Sequence, residues 1–218
     1  SRGLLDRSER RILASMRWCD ISFVCDPTHV PAALLPQIRR MEFLTFACDP
    51  EFHHPVVVSK VDRARFGGPA CFVGNWQGAT SPRYTLLKHL AGYPVHVWGN
   101  GWQESDLAAH GLRVMNQSVY GDDMLRVYSS NLIALNFNFD DYLNLRNFEV
   151  PACGPFLITT AVPHLDEYFR PDEEIVTFAT PDEMRDKVAY YLAHPEIAAQ
   201  IAKRGQARAH SEHTFQHR

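Results

Sequence analysis

The chain has 218 residues, enough for one large domain or for one domain and part of another. Hydrophobic residues make up 45% of the sequence and the formal net charge is -3, a balance typical of globular proteins with a packed core. No basic excess indicates a nucleic-acid partner, no block of like charge indicates an interaction tail, and no apolar run approaches the roughly 18 residues that span a bilayer.

The five cysteines are odd in number and include no C-x-x-C pair. They predict a reduced, cytoplasmic chain in which each thiol is a small core residue. The charged stretch over residues 1–11 is unlike a signal peptide, and we expect it to follow a cut inside a longer protein.

The first third of the chain predicts short, loosely connected elements. Apolar residues at helical spacing over 4–17 are followed by strands at 20–25 and 42–47, with a short helix at 32–40 between them. Residues 51–69 are rich in Pro and Gly and show little periodicity, which predicts a linker between two domains. The doublet His53-His54 is interpreted as part of a solvated loop in this linker.

A regular alternation follows. Apolar runs of about five residues predict strands at 70–74, 95–98, 132–137, 156–160 and 174–178. Between and after them, cap residues and helix formers predict helices at 82–90, 122–129, 145–152, 181–193 and 195–209. This order is typical of βαβ units, so we expect an α/β fold with a parallel sheet and helices on both of its faces.

Ligands of such sheets bind at the carboxyl ends of the strands. The residues expected there are Gly74-Asn75-Trp76, Gly99 to Trp102, Asn136-Phe137-Asn138 and Thr159-Thr160. Glycine lets a backbone approach a ligand closely, although Gly and Asn also simply form turns. Gly99-x-Gly101 lacks the third glycine of a dinucleotide fingerprint, and the sequence has no phosphate-binding G-x-x-x-x-G-K-[ST] loop.

Arg146 and Glu149 lie three residues apart near the start of a predicted helix, so they share a face at the expected ligand edge. A carboxylate there can accept hydrogen bonds from both hydroxyls of a ribose, and an arginine there can bind a diphosphate. The alternative interpretation is a solvated ion pair on the helix surface.

Three histidines near the end of the chain have a spacing that is compatible with a metal site. His210, His213 and His217 are three and four residues apart and would line one face of a continued helix. No cysteine or carboxylate completes the set except Glu212, which points elsewhere. We therefore predict neither a metal site nor a cofactor.

The segment "LNLRNFEVPACGPFLITT" resembles the C-terminal domain of CgeB-like, spore-maturation type glycosyltransferases of the GT-B class. Further stretches, such as "FVGNW", "VYGDDMLRVYSSNLIALNF" and "EIVTFATPDE", carry the resemblance over residues 70–218. It implies a Rossmann-like domain at 61–218 that binds a nucleotide-sugar donor. Residues 1–60 would be the linker and a remnant of the acceptor-side N-terminal domain. The missing remainder of that domain would be a partner of this chain within the same protein.

The resemblance also implies roles for single residues. Glu149 corresponds to the glutamate that holds the donor ribose. In related enzymes a glutamate eight positions before this residue lies near the transferred sugar. The corresponding residue of this chain is the shorter Asp141, which is the one catalytic candidate. The remaining ligand-binding candidates are Asn75, Arg83 and Arg146 near the diphosphate, Gly99, Gly101 and Trp102 in the second loop, Val119 and Tyr120 at the base, and the backbone amides behind Gly154.

The function that follows is transfer of a sugar from a nucleoside-diphosphate sugar to an unknown acceptor, without a metal. The chain by itself is expected to be inactive, because a general base of an inverting reaction would come from the missing domain. Two alternatives stay open: a non-catalytic nucleotide-sugar-binding module, which Asp141 in place of Glu favours, and a GT-B nucleotide-sugar epimerase, which needs no acceptor.

Overall fold

A computed structural model describes residues 10–11, 14–25, 30, 32, 35–138 and 143–218. The chain divides into two compact units, Ser1–Phe46 with Arg218, and Ala47–His217. The assignment of 1–60 and 61–218 to acceptor-side and donor-side domains stays a prediction.

In the first unit, β1 (Ser22–Val24) and β2 (Met41–Phe43) form a parallel two-stranded sheet. The described part of the helix predicted over 32–40 is only a 3-10 turn, Leu35–Gln37. Pro36 lies inside that stretch, and a proline in a helix interior removes a backbone donor and clashes with the preceding turn. Most of the helical pattern over 4–17 lies outside the described residues.

The second unit contains a six-stranded sheet in which all neighbouring strands are parallel. The strands are β3 (Gly68–Val73), β4 (Val95–Trp98), β5 (Arg113–Val114), β6 (Asn131–Asn136), β7 (Phe156–Thr160) and β8 (Val176–Phe178). Their order is β5-β4-β3-β6-β7-β8, so the direction of strand addition reverses between β3 and β6. In doubly wound sheets the ligand crevice opens at that reversal.

The helices of this unit alternate with the strands. They are α1 (Lys60–Phe66), α2 (Pro82–His89), α3 (Gly121–Ser130), α4 (Arg146–Ala152), α5 (Pro181–Ala193) and α6 (Pro195–Glu212). Successive residues of β3 and β4 are buried, Ala70 to Val73 and Val95 to Trp98, so both faces of the central sheet are covered. The predicted α/β fold with a parallel sheet is thereby confirmed.

In this second unit, two elements differ from the sequence prediction. The stretch 51–69, predicted to be an irregular linker, contains α1, whose N-cap Ser59 accepts a hydrogen bond from the Asp62 amide. α1 is held by burial of Phe66, whose ring lies 5.6 Å from that of Trp98. β5 was not predicted, because a strand of two residues leaves no periodic pattern.

The cysteines are free, and three of them, Cys48, Cys71 and Cys153, are buried as predicted. Burial raises the pKa of the Cys71 thiol far above its ordinary value. Cys19 is exposed, so the prediction of a core thiol is wrong there. In the described part of the chain, no helix has the length and apolar character required to cross a membrane.

The long helix α6 packs at Gly205 against the backbone of Glu174, just before β8. A Cβ atom added at this position would lie 2.1 Å from the backbone carbonyl oxygen of Glu174, so only glycine permits the contact.

We therefore expect Gly205→Ala to destabilise the protein by about 1–3 kcal/mol, the usual cost of overpacking, although alanine is the better helix former. Urea unfolding measures the change. Ser211→Ala, on an exposed position of the same helix, is the control and should alter stability by less than about 0.5 kcal/mol. A Gly205→Ala protein as stable as the parent would contradict the packing described here.

Candidate functional site

The loops that follow β3, β4 and β5 meet at the carboxyl edge of the sheet. The amide of Trp76 donates to the Asn100 carbonyl over 2.9 Å, and the amide of Gly99 donates to the Gln117 carbonyl over 2.9 Å. Gly99 has a φ of 144°, and an added Cβ would lie 2.1 Å from the Gly74 carbonyl oxygen. Only glycine allows the first two loops to approach this closely.

Asn75 ties the three loops together through its side chain. Its Oδ1 accepts hydrogen bonds from the amide of Asn100 at 3.0 Å and from the hydroxyl of Ser118 at 2.9 Å. Asn100 in turn accepts from the amide of Ser118 at 3.1 Å. The side-chain NH2 of Asn75 has no partner among the described residues, so it is available to a ligand.

These loops border a cavity of about 370 Å³ together with the starts of α3 and α4 and the turn at residues 52–53. This volume falls within the range of small-molecule sites. The lining combines apolar surface with amide, guanidinium and carboxylate groups. Its residues are Phe52, His53, Val73, Gly74, Asn75, Gly99, Ser118, Val119, Tyr120, Gly121, Met124, Arg146 and Glu149.

Arg146 and Glu149 both belong to the first turn of α4 and both reach the cavity, as their spacing predicts. The charge of Arg146 also acts on Arg83. Burial first, and the nearby Arg146 second, lower the pKa of the Arg83 guanidinium below its ordinary value. Nη1 of Arg83 lies 3.5 Å from the carbonyl oxygen of Asn75 and so is close to the first loop. The two guanidinium groups thus lie close enough for their charges to interact, but Arg146 lines the cavity and Arg83 does not.

A buried network of asparagine and threonine side chains supports the start of α4. Nδ2 of Asn147 donates to Oδ1 of Asn138 at 2.7 Å, and its Oδ1 accepts from the Thr159 hydroxyl at 3.0 Å. Nδ2 of Asn136 donates to the same hydroxyl at 3.1 Å. Nδ2 of Asn144 donates to Oδ1 of Asn136 at 3.1 Å. The network thereby joins the ends of β6 and β7 to the helix that carries Arg146 and Glu149.

Asp141, the catalytic candidate, lies outside the described residues. On either side of it in the sequence, the amide of Asn144 donates to Oδ1 of Asn138 at 3.3 Å. The role of Asp141 stays a prediction.

Trp102 was expected to touch the ligand, but its side chain is 1% exposed and does not line the cavity. Its indole N–H donates to the Gly74 carbonyl at 2.6 Å, and its ring packs against Trp76. Gly101 has a φ of 86°, and its Cα packs against Trp76, where an added Cβ would lie 2.9 Å from the Trp76 Cβ. Both residues therefore support the second loop from its core side and not from the cavity. The large Trp102 side chain is buried in the core.

The structure does not bring Gly154 to this cavity. Gly154 follows the C-terminal end of α4, and α4 is about 10 Å long at 1.5 Å per residue, which separates it from Arg146. Its amide donates to the Pro151 carbonyl at 2.9 Å, and a strand, β7, comes next rather than a helix. The prediction that amides behind Gly154 face a diphosphate is therefore wrong.

The interpretation of the histidine doublet as solvated is wrong for His53 and correct for His54. His53 is 7% exposed and its Nε2 lies 3.2 Å from Oε1 of Glu149, whereas His54 is exposed. The reason is a tight turn at residues 49–54, in which the His53 amide donates to the Asp49 carbonyl. This turn directs one ring inward and its neighbour outward.

The three C-terminal histidines do not share a helix face, because α6 ends at Glu212. Nε2 of His213 contacts the Tyr168 carbonyl at 2.6 Å, and Nδ1 of His217 lies 2.7 Å from the Thr214 hydroxyl. Within the described ranges, no three His, Cys, Asp or Glu side chains are grouped as a metal ligand set.

Sequence reasoning missed several residues of the site, namely Phe52, His53, Ser118, Gly121, Met124, Asn144 and Asn147. Four asparagines between positions 136 and 147 were a signal, since asparagine is poorly suited to a buried strand or a short helix unless its amide is satisfied. The remaining residues carried no local signal.

Solved structures share this architecture. The C-terminal domain of the glycosyl transferase group 1 family protein LpcC from Francisella tularensis superposes with a TM-score of 0.60 at 12% identity, covering 78% of this chain and 100% of that one. HepE from Anabaena, solved with UDP and glucose, gives 0.71 at 12% identity, covering 96% and 64%. Sucrose-phosphate synthase from Thermosynechococcus elongatus gives 0.66 at 19% identity, covering 97% of this chain and 59% of that protein's length. The fold is that of a GT-B C-terminal domain.

The sequence family described as glycosyl transferase-like matches residues 83–218, and the chain belongs to it. The resemblance to glycosyltransferases is thereby confirmed at the level of family and fold. No curated protein matches the chain.

The buried network generates a prediction at Thr159, whose hydroxyl is 0% exposed at the centre of it. We expect Thr159→Val to cost about 1–3 kcal/mol of unfolding free energy, because Asn136 and Asn147 would lose a buried partner. Chemical denaturation measures the loss.

Thr177 is the matched control. It pairs with Thr159 in register on the neighbouring strand β8, and its hydroxyl has no partner among the described residues. Thr177→Val should change stability by less than about 0.5 kcal/mol. Equal effects of the two substitutions would show that the network does not stabilise this edge.

Proposed function

We propose that this chain is the donor-binding part of a GT-B glycosyltransferase of the CgeB-like type, and that the cavity beside Gly74 takes a nucleoside-diphosphate sugar. The observation that carries the proposal is the meeting of Arg146 and Glu149 with the glycine loops of β3 and β4 around one cavity of suitable size. HepE, which has the same fold, has been solved with UDP-glucose, and this supports the choice of ligand class.

The diphosphate is proposed to lie against Arg83 and Arg146, with the NH2 group of Asn75 as a further donor. Charge-assisted hydrogen bonds from guanidinium groups to phosphate are short and strong. The mutual proximity of the two arginines, which contributes to the lowered pKa of Arg83, is unfavourable without an anion between them. A bound diphosphate would relieve that repulsion.

The nucleoside is proposed to extend from Glu149 toward the start of α3. The Glu149 carboxylate can accept hydrogen bonds from the ribose hydroxyls. Val119 is buried in the cavity wall and Tyr120 is 73% exposed at its rim, so together they offer an apolar surface to a base. Backbone atoms of Ser118 lie next to this surface.

In the proposed reaction the bond between the sugar C1 and the diphosphate oxygen breaks, and its electron pair stays on the diphosphate. Arg83 and Arg146 stabilise that growing negative charge. The acceptor hydroxyl oxygen forms the new bond to C1 and releases its proton. Asp141 is proposed to lie near the transferred sugar, and the acceptor and any general base are proposed to belong to the N-terminal domain of the whole protein.

Calorimetric titration of the chain with UDP, GDP, ADP and dTDP tests donor binding. We expect one nucleotide to bind with a micromolar to millimolar Kd. Glu149→Ala and Arg146→Ala should each weaken it about tenfold or more, since each removes a charge-assisted hydrogen bond.

The controls are Glu196→Ala and Arg63→Ala, exposed positions of the same residue types away from the cavity, and both should bind as the parent does. If no nucleotide binds at millimolar concentration, donor binding by this chain is wrong. If a nucleotide binds but both cavity variants retain full affinity, the site is elsewhere.

A further inference from the structure

His53 lies beside Glu149 although it belongs to a segment far away in sequence. It comes from the turn at residues 49–54, which precedes α1 and the sheet. Its side chain is 8% exposed, and Nε2 lies 3.2 Å from Oε1 of Glu149, whose own side chain is 15% exposed. Both residues line the cavity. The contact therefore joins a buried imidazole to a partly buried carboxylate at the wall of the proposed donor site.

The other ring nitrogen determines which proton His53 carries. The backbone amide of Asp49 donates to Nδ1 of His53 at 3.0 Å, so Nδ1 acts as an acceptor and bears no proton. The neutral ring then has its proton on Nε2, the nitrogen nearer to Glu149. A backbone donor thus fixes the tautomer that carries its proton on Nε2, the ring atom 3.2 Å from Oε1 of Glu149.

The turn itself is fastened to the end of the chain. Nε2 of His210, on α6, lies 3.0 Å from the His53 carbonyl oxygen and 3.1 Å from the carbonyl oxygen of Ala152, the last residue of α4. The Cys48 amide donates to the His213 carbonyl at 2.9 Å. Through His210 these contacts connect the His53 backbone to the last residue of α4, the helix that carries Glu149.

We propose that His53 is a positioning residue for nucleotide-sugar binding: its Nε2–H holds Oε1 of Glu149 and leaves Oε2 turned toward the ribose hydroxyls. Oε2 has no partner among the described residues, so it is free to accept from the ligand. The inference rests on the proposed function, and it adds a residue of the turn before α1 to the ribose site. A carboxylate held in place loses less freedom when the ribose binds.

Two substitutions separate the Nδ1 hydrogen bond of the ring from the Nε2 contact with Glu149. His53→Gln keeps a donor at the position of Nε2, whereas His53→Asn keeps only a group near Nδ1 and cannot reach Glu149. The probes are the tightest-binding of UDP, GDP and ADP, and its 2′,3′-dideoxy analogue. We expect His53→Asn to weaken the ribonucleotide about tenfold and the dideoxy analogue less than about twofold, because only the former has hydroxyls for Glu149 to accept. His53→Gln should stay within about threefold of the parent for both.

His54→Asn is the control, since His54 is the exposed neighbour and does not line the cavity. An equal loss for both probes in His53→Asn, or no loss for either, would overturn the positioning role while leaving donor binding intact. Failure of the parent chain to bind any of the nucleotides would overturn both proposals. Nitrogen-15 spectra of the imidazoles test the geometry without a ligand: a proton on Nδ1 of His53 in the neutral ring would also overturn the inference.

Discussion

The amide and hydroxyl groups beneath α4 lie where water cannot replace a missing partner. Asn136, Asn147 and Thr159 are each at most 1% exposed, and an unsatisfied polar group at such a place costs more than a made hydrogen bond contributes. These side chains are therefore restricted to the few orientations in which every buried polar group keeps a hydrogen-bond partner. Arg146 and Glu149 lie on the helix that this network supports. The hydrogen-bonded arrangement of the buried amides therefore determines where these two side chains enter the cavity.

The opposite wall of the cavity is fixed by close packing. Gly99 permits contact with the Gly74 carbonyl, and Trp102 donates to that same carbonyl from the core side. Asn75 then joins the loops of β3, β4 and β5 through one side-chain oxygen. One wall is thus built from backbone contacts that only glycine allows, and the other from satisfied side-chain amides. Both lie where the sheet reverses its order of strand addition, which is where open α/β sheets bind ligands.

The sequence was informative where the signal is local. Helix caps and apolar runs predicted β4, β7 and α5 at their observed bounds, and the spacing of Arg146 and Glu149 predicted that both would face the ligand edge. It was misleading where the outcome depends on contacts between distant segments. Gly154 was misplaced because a short helix separates it from the site, and Trp102 because burial outweighed its position in a ligand-edge loop. His53 could not be predicted, since a turn anchored by α6, more than 150 residues later, directs it onto Glu149.

The most direct test of the account is a crystal structure of the chain with a bound nucleoside diphosphate. The account predicts the ribose hydroxyls within hydrogen-bond distance of Glu149, the diphosphate between Arg83 and Arg146, and the base against Val119 and Tyr120. A nucleotide bound outside this cavity, for example in the separate cavity of about 290 Å³ beside Gly154 and Lys203, would contradict it.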